Sequence, residues 1–87
     1  MTLTSQLLEI TLRDENNKIL KKKFPSTMAL QKLVTLAQRL FKGNTGYPFL
    51  YLLDDQMQGA EIALDNTMKD LAYYSIQNGD TVLIRFR

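Results

Sequence analysis

The chain has 87 residues with no Cys, no His and no Trp, a length that allows one compact domain rather than two. It therefore lacks a disulfide framework, a thiolate nucleophile, a Cys-based zinc site, an imidazole base and an imidazole metal ligand. Eleven Lys and Arg against nine Asp and Glu leave a net charge of +2, a weak bias that does not by itself nominate nucleic acid.

The apolar and charged fractions, 45% and 23%, are those of a soluble globular domain with enough apolar side chains for a core. No apolar run approaches the roughly 20 residues that span a bilayer. The first residues also lack a charged region followed by an apolar stretch and a small-residue cleavage site. The expected location is the cytosol.

Alternation from Gln6 to Arg13 sets Leu8, Ile10 and Leu12 on one face of a strand and Glu9, Thr11 and Arg13 on the other. Asp14 to Asn17 then turn the chain, and Lys18 to Phe24 runs extended until Pro25. The second strand does not alternate cleanly, which predicts a bulge near Ile19, with Leu20 and Phe24 turned to the core and Lys22 at a sheet edge.

Ser26 and Thr27 are N-cap candidates for a helix carrying Leu30, Leu33, Val34, Ala37, Leu40 and Phe41 at spacings of three, four and seven. Gly43 suits a left-handed C-cap after it. Asn44 to Pro48 reads as a loop and Phe49 to Leu53 as a strand with apolar character on both faces. Asp54 to Gly59 turns the chain, and Glu61 to Leu64 is a short edge strand. Asp65 to Thr67 begins a short helical or turn segment that carries Met68 and Leu71 inward. Asn78-Gly79-Asp80 is a tight turn before a last strand, Thr81 to Phe86, with Val82, Ile84 and Phe86 on one face and Leu83 and Arg85 on the other.

A hairpin followed by one helix crossing a mixed sheet is the β-grasp arrangement of the α+β class. The last strand is expected beside the first and parallel to it, because that pairing lets one sheet wrap the helix.

On the residues themselves, the chain resembles a ubiquitin-like domain. It is most similar to the C-terminal ubiquitin-like domain of the tubulin-folding cofactor E family, from Leu7 to Phe86. The resemblance is carried by Pro25-Ser26-Thr27-Met28-Ala29-Leu30-Gln31-Lys32-Leu33, by Tyr73-Tyr74-Ser75-Ile76-Gln77-Asn78-Gly79-Asp80 and by the ending Leu83-Ile84-Arg85-Phe86. Against ubiquitin, the stretch with Asp65, Thr67, Met68, Asp70 and Tyr73 resembles the entry to the short helix, where a Thr or Asp caps and a Tyr closes the loop.

The resemblance implies a single ubiquitin-like domain, with its core from about residue 6 to 87, in the C-terminal part of a longer chain. It implies a non-catalytic, cytoplasmic and cytoskeleton-associated role in assembling and dissociating the tubulin heterodimer. The implied partners are tubulin, other tubulin cofactors and proteasomal ubiquitin receptors, with no nucleic acid, membrane or cofactor, and the isolated domain is expected to be a monomer. An alternative is a covalent modifier. Activating enzymes need a terminal Gly-Gly, whereas this sequence reads Ile84-Arg85-Phe86-Arg87, so that alternative requires a Gly-Gly beyond Arg87.

Ubiquitin binds through an apolar patch on the outer sheet face. Carried through the strand parity, the partner-binding set here is Phe49, Tyr51, Leu53, Leu83 and Arg85, with Tyr51 and Arg85 replacing two apolar residues of that patch. The bland alternative has Phe49 and Leu53 folded over the sheet margin. A weaker second candidate is Lys21, Lys22 and Lys23, which with Arg13, Arg85 and Arg87 would make a basic stripe for an acidic surface such as a tubulin tail. The same lysines also suit an edge strand kept from pairing with another copy.

Asp54, Asp55 and Glu61 lack EF-hand spacing and read as a turn rather than a metal site, and no carboxylate is obviously buried for acid–base work. Met28, Met57 and Met68 read as core or margin fillers.

Overall fold

A computed structural model describes residues 7–43, 45–54 and 59–87. Five strands, β1 (Leu7–Asp14), β2 (Ile19–Pro25), β3 (Pro48–Asp54), β4 (Ala60–Ala63) and β5 (Thr81–Phe86), form one sheet in the order β2-β1-β5-β3-β4. One helix, α1 (Leu30–Leu40), covers its inner face, and a single 3-10 turn spans Ala72–Tyr74. β5 lies parallel to β1 and antiparallel to β3, as the β-grasp reading requires. Gln6, Asn44, Asp55 and Met57, expected in a strand, a loop, a turn and the core or its margin, lie outside the described residues.

The core is built by alternation. Leu8, Ile10 and Leu12 of β1, Leu50 and Leu52 of β3, and Val82 and Ile84 of β5 meet Leu30, Leu33, Val34 and Ala37 of α1, and all are buried. Each such Leu, Ile or Val side chain removed from water stabilises the fold by about 1.5–3 kcal/mol. Leu20 and Phe24 turn inward from β2 as expected, but without a bulge: the ladder runs one to one from Leu7↔Pro25 to Arg13↔Ile19. At an edge, inward-parity Lys22 simply extends into water, so its charge does not force a break in register.

Asp14 is the buried carboxylate that the residue pattern did not reveal, with 3% of its surface exposed. Its Oδ1 accepts from the amides of Asn16 at 2.9 Å and Lys18 at 2.8 Å, which makes it the organiser of the hairpin turn.

The helix start corrects another expectation. Ala29 occupies the N-cap with no side-chain cap, and neither Ser26 nor Thr27 takes that role. The amides of Leu30 and Gln31 donate instead to the carbonyls of Lys69 at 2.8 Å and Thr67 at 3.1 Å. A distant loop thus satisfies donors that a local Ser or Thr normally would. At the other end Phe41 closes α1 through its amide to the Ala37 carbonyl, and Gly43 follows with φ +96°.

Two loop residues also sit differently from expectation. Tyr74 rather than Tyr73 closes the loop, its hydroxyl accepting from the Asn66 amide at 2.7 Å, while Tyr73 is exposed. Asp70, one residue before the Leu71 N-cap of the short helix, accepts from the Tyr73 amide at 2.9 Å. Met68, read as inward, is 86% exposed, because Asn66 Oδ1 holds the Met68 amide in a turn at the surface.

Candidate protein-interaction surface

The run Phe49 to Leu53 is apolar throughout, so parity alone decides which side chains reach the outer face. Leu50 and Leu52 are buried beneath α1, whereas Phe49 is 44% exposed and Tyr51 and Leu53 are half-buried. On β5 the outward residues are Leu83 and Arg85. The β3–β5 register places Tyr51 opposite Leu83 and Phe49 opposite Arg85, so the fold brings four of the five expected side chains together in facing pairs. Leu53 continues the β3 row, opposite Glu61 of β4.

Leu83 departs from the expected role. Its parity is outward, yet it is only 6% exposed. It lies in register between Tyr51 of β3 and Arg13 of β1, two long side chains that flank it on the sheet. Leu83 is therefore a packed floor of this surface rather than a contact point.

Arg85 is not a free cation either. Both of its terminal nitrogens donate to the Glu61 carboxylate, with Nη2 to Oε2 at 2.9 Å, and its Nε stands 3.7 Å from Glu15 Oε2. The guanidinium lies 5.0 Å from the Tyr51 ring centroid, a cation–π placement. Arg87 extends this network by donating to Glu15 Oε1 at 3.0 Å. The hydrogen bonds from Arg85 hold the Glu61 carboxyl below its ordinary value, outweighing an opposing desolvation, and the charges of Arg85 and Arg13 add to the lowering. The reciprocal bond pushes Arg85 further up. These pairings dissolve the basic stripe read from the sequence: Arg85 and Arg87 belong to an acid–base network on the outer face, while Lys21, Lys22 and Lys23 stand exposed on the β2 edge.

The residue that sequence reasoning missed is Tyr47. Its ring meets Phe49 edge to face at 5.3 Å, and the two rings are 42% and 44% exposed. The available signal was the Tyr-Pro-Phe spacing, which puts both aromatics on one side of Pro48 once the segment is extended. The Tyr47 amide and carbonyl both pair with Arg87, fixing this ring pair to the end of β5. Beside the rings a cleft of about 230 Å³ opens toward α1, lined also by Val34, Leu64 and Asp65. That volume suits one inserted side chain more than a small-molecule ligand.

Among the described residues no group of three acidic side chains is placed to hold a metal ion, and no helix is long and apolar enough to cross a membrane.

A five-stranded mixed sheet grasping one helix, with its outer face carrying aromatic, apolar and paired charged residues, defines a ubiquitin-like domain. No family model matches the chain. The solved C-terminal ubiquitin-like domain of mouse tubulin-specific chaperone E is 34% identical, with a TM-score of 0.84 over 99% of this chain and 92% of that one. Tubulin-specific chaperone E of Xenopus laevis is 37% identical over 97% of this chain, which spans 17% of that protein's length. The ubiquitin-like domain of tubulin-binding cofactor B, at 14% identity and TM-score 0.79, covering 95% of this chain and 92% of that one, shares the fold. The chain belongs to the family of the C-terminal ubiquitin-like domains of tubulin-specific chaperone E.

Proposed function

We propose that this chain is a non-catalytic docking module of a cytoplasmic, cytoskeleton-associated tubulin cofactor, which contributes to assembly and disassembly of the tubulin heterodimer by holding partner proteins on its outer sheet face. The observation that carries the reading is the exposed Tyr47–Phe49 ring pair beside Tyr51, Leu53 and Arg85 on one continuous face. Half-exposed aromatics next to a guanidinium are the composition in which interface energy concentrates. Phe49 is the anchor, Tyr51 and Leu53 extend the contact, and Leu83 supports them from below. The Arg85–Glu61 pair forms the polar rim.

The partners in this reading are tubulin, other tubulin cofactors or proteasomal ubiquitin receptors. Because Tyr51 and Arg85 replace apolar residues of ubiquitin's patch, receptors that need that patch unchanged are disfavoured. The test is titration of the isotope-labelled domain with a proteasomal ubiquitin receptor and, separately, with tubulin cofactors. Amide shifts centred on residues 47–53 and 85 are expected, with binding lost in Phe49→Ala. Shifts confined to α1 would overturn this surface.

A further inference from the structure

Seven of the eleven Lys and Arg fall between Asn16 and Leu53, a span that contains no Asp or Glu. The fold distributes them over three segments: Lys18 in the hairpin turn, Lys21, Lys22 and Lys23 on β2, and Lys32, Arg39 and Lys42 along and just beyond α1. All seven are exposed. Lys32 and Arg39 are seven residues apart and so lie on one line down the helix, which Lys42 continues in the following turn. Lys18 ties the two parts together, its Nζ donating to the Leu40 carbonyl at 3.0 Å and standing 5.6 Å from the Phe41 ring centroid.

Every ion pair among the described residues lies on the outer face and involves Arg85 or Arg87. Lys23 faces Glu9 across the β1–β2 ladder without forming one. Among the described residues Glu9 is thus the one carboxylate in register with these cations and it forms no ion pair with them, so the seven repel one another and an external anion would relieve that repulsion.

We propose that the β2 edge and the C-terminal end of α1 form a second docking surface, for an extended polypeptide segment rich in Asp and Glu. It goes beyond the aromatic outer face and involves different residues. β2 ends the sheet, so its outward backbone groups have no strand partner within the fold. Three lysines there oppose pairing with another copy of the same edge, and the same charges attract an acidic strand, so one device supplies both exclusion and selection.

The composition favours carboxylates over nucleic acid. Six of the seven cations are Lys, mobile point charges, rather than the Arg forks that grip phosphate in two places. No stacking platform accompanies them, since Phe24 and Phe41 are buried and the exposed rings belong to other parts of the surface.

The test is titration of the isotope-labelled 87-residue chain with a short peptide of consecutive glutamates, its glutamine counterpart, a single-stranded oligouridylate and phosphatidylserine vesicles. The glutamate peptide is expected to shift amides at residues 18–23 and 38–42, more weakly as salt rises, and the glutamine peptide to shift none. Charge reversal by Lys21→Glu, Lys22→Glu and Lys23→Glu together, or by Arg39→Glu and Lys42→Glu together, should each weaken binding at least about tenfold. Arg85→Ala should leave this binding unchanged. Unaltered amide dispersion in the reversal variants separates lost binding from lost fold. Equal binding of the glutamine peptide, shifts centred on residues 49–53, unweakened reversal variants, or tighter binding of oligouridylate or vesicles than of the glutamate peptide would each overturn the proposal.

Discussion

On the outer sheet face Arg85 and Arg87 meet Glu61 and Glu15, residues 24 and 72 positions away in sequence, because the order β1-β5-β3-β4 sets their strands within reach of long side chains. On β2 and α1 the cations form no ion pair among the described residues: the chain from Asn16 to Leu53 holds no carboxylate, and Glu9, opposite Lys23 on β1, is not paired with it. The same residue types therefore do different work in the two regions. Paired charges on the outer face fix side-chain positions around Tyr51, while unpaired ones on β2 and α1 leave a field directed outward. Charge segregation along a chain sets which cations have partners within reach, and strand register decides which of those partners are used.

The sharpest way to break this comparison is Leu83→Ala. If the outer face is built on a packed floor, losing this 6%-exposed side chain costs about 2–4 kcal/mol in chemical denaturation. If Leu83 were instead a contact residue, the fold would tolerate the change and only binding would suffer. Gly46→Ala comes next. Gly46 has φ +101°, and an added Cβ would stand 2.5 Å from the Arg87 carbonyl oxygen, so backbone strain and a clash with main chain coincide. A loss of at least about 1 kcal/mol is expected, with changed amide shifts at Tyr47 and Arg87, where the aromatic pair is anchored.

The two regions also differ in how far the amino-acid pattern revealed them. Period-two alternation located Leu50, Leu52, Val82 and Ile84 in the core and Phe49 and Tyr51 outside it, because a strand's two faces follow directly from parity. Parity could not show that outward Leu83 is covered, since that depends on which strands flank it. Nor could it pair Arg85 with Glu61, because a salt bridge across the sheet exists only after the order β5-β3-β4 is set. The helix cap failed for a related reason: local Ser26 and Thr27 looked sufficient, yet carbonyls from residues 67 and 69 took the amides. The lysine run of β2 was legible at once, but its continuation toward Arg39 and Lys42 was not, because the two come together only where Lys18 of the turn packs against the helix end at Leu40 and Phe41.

Acid titration of stability separates the regions most finely. Glu61 is held below its ordinary value near 4.5 by the hydrogen bonds from Arg85. A carboxylate whose folded value is depressed adds stability that is fully present above its unfolded value and is lost as the pH falls through the folded value. Wild-type stability should thus fall more steeply below about pH 4.5 than that of Glu61→Gln or Arg85→Ala, each of which removes the pair and starts from a lower plateau near neutrality. Lys21→Gln with Lys22→Gln and Lys23→Gln should run parallel to wild type through the same range and shift the plateau by no more than about 0.5 kcal/mol, since no described carboxylate forms an ion pair with those lysines. A flattened acid limb in the lysine variant would mean that the β2 cations hold an acidic partner within the fold, and the contrast between the two regions would then fail.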